Sequence, residues 1–288
     1  MKGWRGLRIE LWVEPRGGAP AVNPVMERLF GRLRELGAET SVRVPERELI
    51  DPMRFAAEPP PDLVLLKTVA AVGLSQAIAD EAAGGRFLNG AQATWRAQDK
   101  AAAVARLAAA GLPVPATWLR DGGQAEAAVV ADHPGEWVSK PVFGIHGHDV
   151  VFHAAFPGAD DVPAPSGGNG CYVVDDGTRL IQQRIGGDAP DVKVYVADGR
   201  CFAGRKRFGA GSFATDVVEG MALDRATTDL VLAAGAALEL RCYGVDLRCS
   251  GKDSVIVDVN PFPGYRGFPE AVPALMSEIE RCLWGPVS

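Results

Sequence analysis

The sequence predicts a small α/β unit followed by two α+β lobes, and three observations predict it. Residues 1–90 alternate strand-like and helix-like segments, including the apolar run Asp62–Leu66, which suits a strand buried on both faces of a parallel sheet. From Ala91 onward short strand-like runs joined by Gly and Pro turns alternate with a few helices, the pattern of α+β layers. The chain has 288 residues, and at roughly 100–200 residues per domain it has room for about two. The organisation expected is an N-terminal α/β domain over 1–90, a central lobe over 91–180 and a C-terminal lobe over 181–288.

Within the first unit, Leu7–Val13 reads as a strand. Pro24–Leu36 places Val25, Leu29, Leu33 and Leu36 at helical spacing, and Gly37 supplies the C′ stop. Thr40–Val44 alternates as a strand. Pro59-Pro60-Pro61 breaks the chain ahead of the Asp62–Leu66 strand, an alanine-rich helix then runs to Ala83, and Arg86–Asn89 is a last strand.

Ala91–Ala110 is helical in pattern and stops at Gly111 with Pro113 beyond it. Strands at Ala116–Leu119, Glu136–Lys140 and Asp149–His153 surround one helix, and Ala154–Gly170, rich in Pro, Gly and Ala, is a loop. Strands at Arg179–Ile185, Val192–Ala197, Arg200–Lys206 and Phe213–Val218, with the turn pair Asp198-Gly199, suggest one antiparallel sheet. A helix over Leu223–Leu240 precedes strands at Tyr243–Arg248 and Ser254–Val259 and a terminal helix over Glu270–Cys282. No internal repeat is present.

Composition narrows the function classes. Apolar residues are 47% and charged residues 23%, ordinary for a globular protein. A net charge of −6 lacks the broad positive field of a phosphate-backbone binder, so nucleic acid is not expected as a partner. The cysteines, Cys171, Cys201, Cys242, Cys249 and Cys282, are odd in number and lack C-x-x-C spacing, which fits a reducing compartment better than a disulfide framework or zinc site. The longest apolar run, Leu230–Leu238, is far short of the ~18 residues of a membrane span. Arg5, Arg8, Glu10 and Glu14 interrupt any signal-like stretch, so a cytoplasmic location is expected.

Three segments can carry chemistry. There is no G-x-x-x-x-G-K-[ST] and no G-x-S-x-G, and Gly209-Ala-Gly211-Ser-Phe-Ala214 leads into a predicted strand rather than the helix a dinucleotide fingerprint needs. At Asp258-Val-Asn260-Pro-Phe-Pro-Gly264, Asp258 and Asn260 sit two apart at a strand end and share a face. With Asp246 on the neighbouring predicted strand they make a hard-oxygen set suited to Mg²⁺. The blander reading is a strand cap and turn. Lys140 ends a strand before the loop Gly144-Ile-His146-Gly147-His148, where glycines let backbone N–H groups approach phosphate; the alternative is a surface hairpin. Gln182-Gln183-Arg184-Ile185 leads to Asp191 and Lys193, which share a face, and Lys206 and Arg207 end the next strand; such cations could neutralise a transferring phosphoryl group or merely solvate a sheet face.

From about Asn89 onward these residues, with Asp99-Lys100, Gly111-Leu-Pro-Val-Pro-Ala-Thr117 and Gly244-Val-Asp246-Leu, resemble in order the ATP-grasp enzymes, of the type that includes the ribosomal-protein S6 glutamate ligase and the lysine-biosynthesis carrier-protein ligases. The resemblance implies the ATP-grasp fold, with two α+β lobes clamping ATP behind an N-terminal α/β domain. It also implies an ATP-dependent carboxylate–amine ligase that makes an amide through an acyl phosphate. By the same resemblance Lys100 and Lys140 contact phosphates, Gly144, His146 and Gly147 close over them, Gln182, Gln183, Arg184 and Ile185 form the adenine hinge, Asp191 reaches the ribose, and Lys206 belongs to the nucleotide site. Asp246, Asp258 and Asn260 would hold Mg²⁺ or Mn²⁺, and Arg207 and Lys193 would act on the transferring group.

The partners implied are small carboxylate and amine substrates such as an amino acid or small peptide, or a carrier protein bearing them. Arg266 is the leading candidate to grip a substrate carboxylate, with Arg16, Lys67 and Arg205 as further cations after predicted strands. Gln183 and Asp258 stand where such ligases usually carry Glu. The stretch Asp258–Tyr265 and Lys193-Val-Tyr195 also resemble the ATP-grasp inositol polyphosphate kinases, which makes a hydroxyl kinase the alternative; a nucleotide-binding module without turnover is a third.

Overall fold

The computed structural model describes residues 3–16, 19–20, 22–50, 60–120, 135–143, 150–157, 178–186, 191–206, 219–250 and 253–285. The N-terminal unit holds β1 (Arg8–Trp12), the short pair β2 (Pro15–Arg16) and β3 (Ala19–Pro20), α1 (Pro24–Glu35), β4 (Glu39–Arg43), β5 (Leu63–Leu66), α2 (Ala71–Ala82) and β6 (Phe87–Leu88). Its four-stranded sheet is parallel throughout in the order β4-β1-β5-β6. All four residues of β5 are buried, as a strand covered on both faces requires. Asn23 caps α1 by accepting from Val25 N and Met26 N.

The helical stretch expected over 91–110 is two helices, α3 (Ala91–Gln98) and α4 (Lys100–Ala109). Asp99 divides them because its side chain accepts from Ala101 N and Ala102 N at 3.0 Å each, starting a new helix instead of continuing the old one. Then follow β7 (Thr117–Arg120), β8 (Trp137–Pro141), β9 (Val151–His153) and β10 (Arg179–Gln183), which form one antiparallel sheet ordered β7-β10-β8-β9. The strand at 179–183 therefore belongs here and not, as its place in the chain suggests, with the strands that follow it.

The last sheet contains β11 (Asp191–Ala197), β12 (Arg200–Lys206), β13 (Glu219–Met221), then after α5 (Arg225–Leu238), β14 (Tyr243–Ser250) and β15 (Asp253–Pro261), with α6 (Val272–Trp284) closing the chain. Its antiparallel order is β13-β12-β11-β14-β15. The expected strand at 213–218, the helix between the strands at 116–119 and 136–140, and most of the expected 154–170 loop lie outside the described residues. The short strand β13 was not expected. α6 bridges its own lobe and the N-terminal unit: Ala274, Leu275, Ile279 and Leu283 share a core with Ala197, Phe202 and Phe262 and also with Ile9, Leu11, Leu29, Leu33, Leu63 and Leu65, so the C-terminal helix covers the N-terminal sheet as well. Asn89 adds a polar tie between the same regions, donating to Cys242 O at 2.7 Å and accepting from Arg241 N and Cys242 N at 2.9 and 2.8 Å. Among the described residues no helix is long and apolar enough to cross a membrane, and Cys201, Cys242 and Cys282 are free thiols.

Candidate active site

The acids come from adjacent strands. Antiparallel register sets Lys193 of β11 opposite Asp246 of β14, and Asp246 opposite Asp258 of β15, so the three share one sheet face. The Lys193 ammonium lies 2.8 and 3.2 Å from the two Asp246 carboxylate oxygens. Asn260 Nδ2 lies 3.5 Å from Asp258 Oδ2, which leaves the amide oxygen on the same face as an acceptor. Gly244 stands opposite Asn260, where a Cβ would come within 3.3 Å of the Tyr195 ring.

The ladder between β14 and β15 slips just beside these acids: Asp246 pairs with Asp258, but Leu247 pairs with Ile256, which leaves Val257 as the extra residue of a β-bulge. Its carbonyl is therefore free of the ladder, and it accepts from Lys140 Nζ at 3.0 Å. Lys140 belongs to β8, in the other sheet. Its side chain thus crosses between the two sheets and lands beside the strand that carries Asp258 and Asn260. Lys100, the first residue of α4, approaches from the same side, since its backbone N–H donates to Val142 O just beyond β8 at 3.2 Å.

The electrostatics register the convergence. Burial pushes the Asp258 carboxyl up, but the ammonium groups of Lys100, Lys140 and Lys193 outweigh it and hold the group below the usual carboxylate range. Burial pushes the Lys140 ammonium below its ordinary value; Asp258 and Asp246 offset part of this, while Lys100 adds to it. At Lys193 burial acts in the same direction, but Asp246 overcomes it and the pKa is raised. A partly desolvated lysine with too little compensating charge is a receptor for an anion, and two carboxylates plus an amide oxygen are donors for a hard divalent cation. No group of three or more His, Cys, Asp or Glu able to hold a metal occurs among the described residues, so Asp246, Asp258 and Asn260 would make up only part of such a cation's coordination.

Asp191 lies on the face of Lys193 and forms an ion pair with the buried Arg248. Burial raises the Asp191 carboxyl and Asp246 adds to the rise; Arg248 and Lys193 counter only part of it. Gln182 is buried, faces the same side of its sheet as Lys140, and donates from Nε2 to Thr117 Oγ1 at 3.1 Å. Arg184 is turned to Glu136 at 2.8 Å and lies over Phe152, so its side chain braces the sheet edge. The Gln183 and Arg184 N–H groups are tied to Ala116 O and Glu136 O at 2.9 and 2.8 Å, and Ile185 follows on the connection out of β10.

Arg266 is exposed on the loop after β15, and Arg205 is exposed on β12. Lys67 is buried beside Glu14. Lys206 ends β12 opposite Asp191 in register. Gly144, His146, Gly147 and Arg207 lie outside the described residues, as do the side chains of Arg16 and Lys206. Sequence reasoning missed Arg248 and the Val257 carbonyl. The first is legible from strand period, two residues beyond Asp246; the second is not, because a bulge leaves no local sequence mark.

The chain is similar in sequence to one family and in fold to many solved proteins. The family model of the RimK-like ATP-grasp domain matches residues 97–274. An ATP-grasp RimK domain protein from Sphaerobacter thermophilus is 20% identical with a TM-score of 0.67, covering 96% of this chain and 96% of that one. The ATP-grasp ligase PsnB, solved with precursor peptide PsnA2 and AMPPNP, is 17% identical with a TM-score of 0.63, covering 96% of this chain and 99% of that one. The D-alanine–D-alanine ligase of Bacillus anthracis is 16% identical with a TM-score of 0.67, covering 96% of each. No curated protein matches.

Proposed function

Because this chain belongs to the RimK-like ATP-grasp family, we propose that it is an ADP-forming ligase that joins a carboxylate to an amine. The observation that carries the reading is the reach of Lys140 across the two sheets to Val257, which sets lysines suited to phosphate beside oxygens suited to a metal. Lys100, Lys140 and Lys206 hold the phosphates in this reading, with Gly144, His146 and Gly147 closing over them. The hinge from Gln182 to Ile185 reads adenine, and Asp191 accepts from the ribose.

Asp246, Asp258 and Asn260 would hold Mg²⁺ or Mn²⁺, which supplies charge neutralisation and orientation for the phosphate oxygens. A carboxylate oxygen of the substrate, gripped by Arg266, attacks the γ-phosphorus; the bond to the β-phosphate oxygen breaks, giving ADP and an acyl phosphate. Lys193 and Arg207 neutralise the charge that spreads over the transferring oxygens. The amine then attacks the acyl carbon, phosphate leaves with the bonding pair, and the amine proton passes to solvent.

An amino acid or small peptide is the substrate class. Supporting it are the solved relatives, among them a ligase with a precursor peptide and a D-alanine–D-alanine ligase. The reading places the enzyme in the ATP-rich cytoplasm. Purified protein incubated with ATP, Mg²⁺ and pooled amino acids and peptides tests it. ADP together with a new amide is the expected result. ADP with a phosphorylated hydroxyl acceptor would make the protein a kinase, and no ADP with any acceptor would make it a nucleotide-binding module.

A further inference from the structure

Asp191 has a partner that the nucleotide reading leaves without a task. The register that sets Lys193 opposite Asp246, carried one pair further, sets Asp191 opposite Arg248, so their ion pair joins facing residues of β11 and β14. The two members differ in access. Arg248 is the more covered, with 9% of its side chain exposed against 17% for Asp191. Arg248 Nε pairs with Asp191 Oδ1, an oxygen that is itself buried, which leaves Oδ2 as the acceptor for a ligand. Among the described residues no side chain but Arg248 pairs with or hydrogen-bonds to that carboxylate.

As a tie between two strands, a buried ion pair offers little that two apolar side chains would not, because desolvation offsets most of its attraction. The place of this pair in the sheet suggests a use. Asp191 follows the Gln182–Ile185 segment in the chain and precedes Lys193, which bonds to Asp246. Two residues of strand advance ~7 Å, so the hinge, Asp191 and the oxygens suited to a metal follow one another in the order of base, sugar and phosphate. A carboxylate that must accept from a sugar hydroxyl at one point of that order needs a fixed rotamer, and a guanidinium paired with its far oxygen supplies one.

We propose that Arg248 is a positioning residue for the nucleotide sugar: it fixes Asp191 through Oδ1 so that Oδ2 accepts from the ribose hydroxyls, and it thereby sets selectivity for ribonucleotides over their deoxy analogues. Arg248 acts through Asp191 and does not itself touch the sugar. The inference deepens the ATP-binding reading and rests on its placement of Asp191 at the ribose.

Calorimetric titration of the whole chain with ATP and with dideoxy-ATP, which lacks both ribose hydroxyls, each with Mg²⁺ and without an acceptor, tests the assignment. Wild type should bind ATP at least about ten-fold more tightly, as the loss of a hydrogen bond to a charged group predicts. Arg248→Met should lose most of that ratio by weakening ATP while dideoxy-ATP binds as before. A guanidinium that only steadies the sheet would weaken both nucleotides alike or neither, and either result overturns the proposal. Asp191→Ala separates the two levels. A ratio lost there but kept in Arg248→Met removes the role of Arg248 and leaves Asp191 at the ribose. A ratio absent from wild type, or kept in Asp191→Ala, removes Asp191 from the ribose and Arg248 with it. Should a variant not fold, a crystal structure of wild type with AMPPNP decides: Arg248 should stay on one Asp191 oxygen while a ribose hydroxyl meets the other. A carboxylate that leaves Arg248 to reach the sugar, or a sugar out of its reach, would overturn the assignment.

Discussion

Replacing Asp258 with asparagine removes one charge while nearly preserving shape, so it separates the demands of the metal from those of the fold. The ammonium groups of Lys100, Lys140 and Lys193 interact with the carboxylates of Asp246 and Asp258. The substitution shifts that balance one charge further positive and, on the proposed metal site, would leave a divalent cation a single carboxylate. Loss of one preorganised charge-stabilising group typically lowers kcat by about 10²–10³, or about 3–4 kcal/mol of barrier, and ADP formation should fall by that much, with half-saturation by Mg²⁺ moving to higher concentration.

Stability should change less, and in a definite pH window. The Asp258 carboxyl is held below its unfolded value of about 3.9, so its ionisation contributes stability that is fully present above that value and lost as pH falls through the native one. The Asp258→Asn protein lacks that contribution. It should be less stable than wild type at neutral pH, and the gap should close below about pH 4. ADP release measured across a Mg²⁺ series, with thermal melts at neutral and acid pH, reads both effects. Turnover within a few-fold of wild type at ordinary Mg²⁺, or a stability gap unchanged down the acid range, would refute the reasoning.

Lys140→Met should abolish ADP formation but also remove a partly desolvated charge. Because the Lys140 pKa is lowered in the folded protein, wild type gains stability as pH rises from that lowered value towards the unfolded value of about 10.4, and alkaline melts should show this rise missing from the variant. Arg248→Met strips Asp191 of its buried partner and should cost about 3–5 kcal/mol by urea unfolding; adding Asp191→Asn should recover most of it, whereas no recovery would mean the guanidinium acts elsewhere. Gly235→Ala puts a Cβ 2.1 Å from Tyr243 Cζ, and the overpacking cost of about 1–3 kcal/mol should exceed the ~1 kcal/mol of helix propensity gained, so the thermal midpoint should fall.

Local period is what the sequence makes legible. Asp258 and Asn260 two apart, and Asp191 and Lys193 two apart, suffice to put each pair on one face of its strand, and the observed registers agree. Long-range pairing is not legible in this way. The strand at 179–183 joins β7 and β8 because its buried Ile181 packs with Trp137 and Trp118, a partnership that no neighbouring residue announces. The split at Asp99 was hidden for the opposite reason: alanine-rich flanks favour helix on both sides, and only a side chain folded back onto Ala101 and Ala102 reveals the break. The docking of α6 on the N-terminal sheet and the Val257 bulge likewise depend on tertiary context.

A crystal structure with Mg²⁺ and AMPPNP tests the central claim most directly. The account predicts a cation about 2.1 Å from oxygens of Asp258 and Asn260, with the Lys140 ammonium moved from the Val257 carbonyl onto a phosphate oxygen. A nucleotide bound elsewhere, with Lys140 still on Val257 and no metal against these acids, would contradict it.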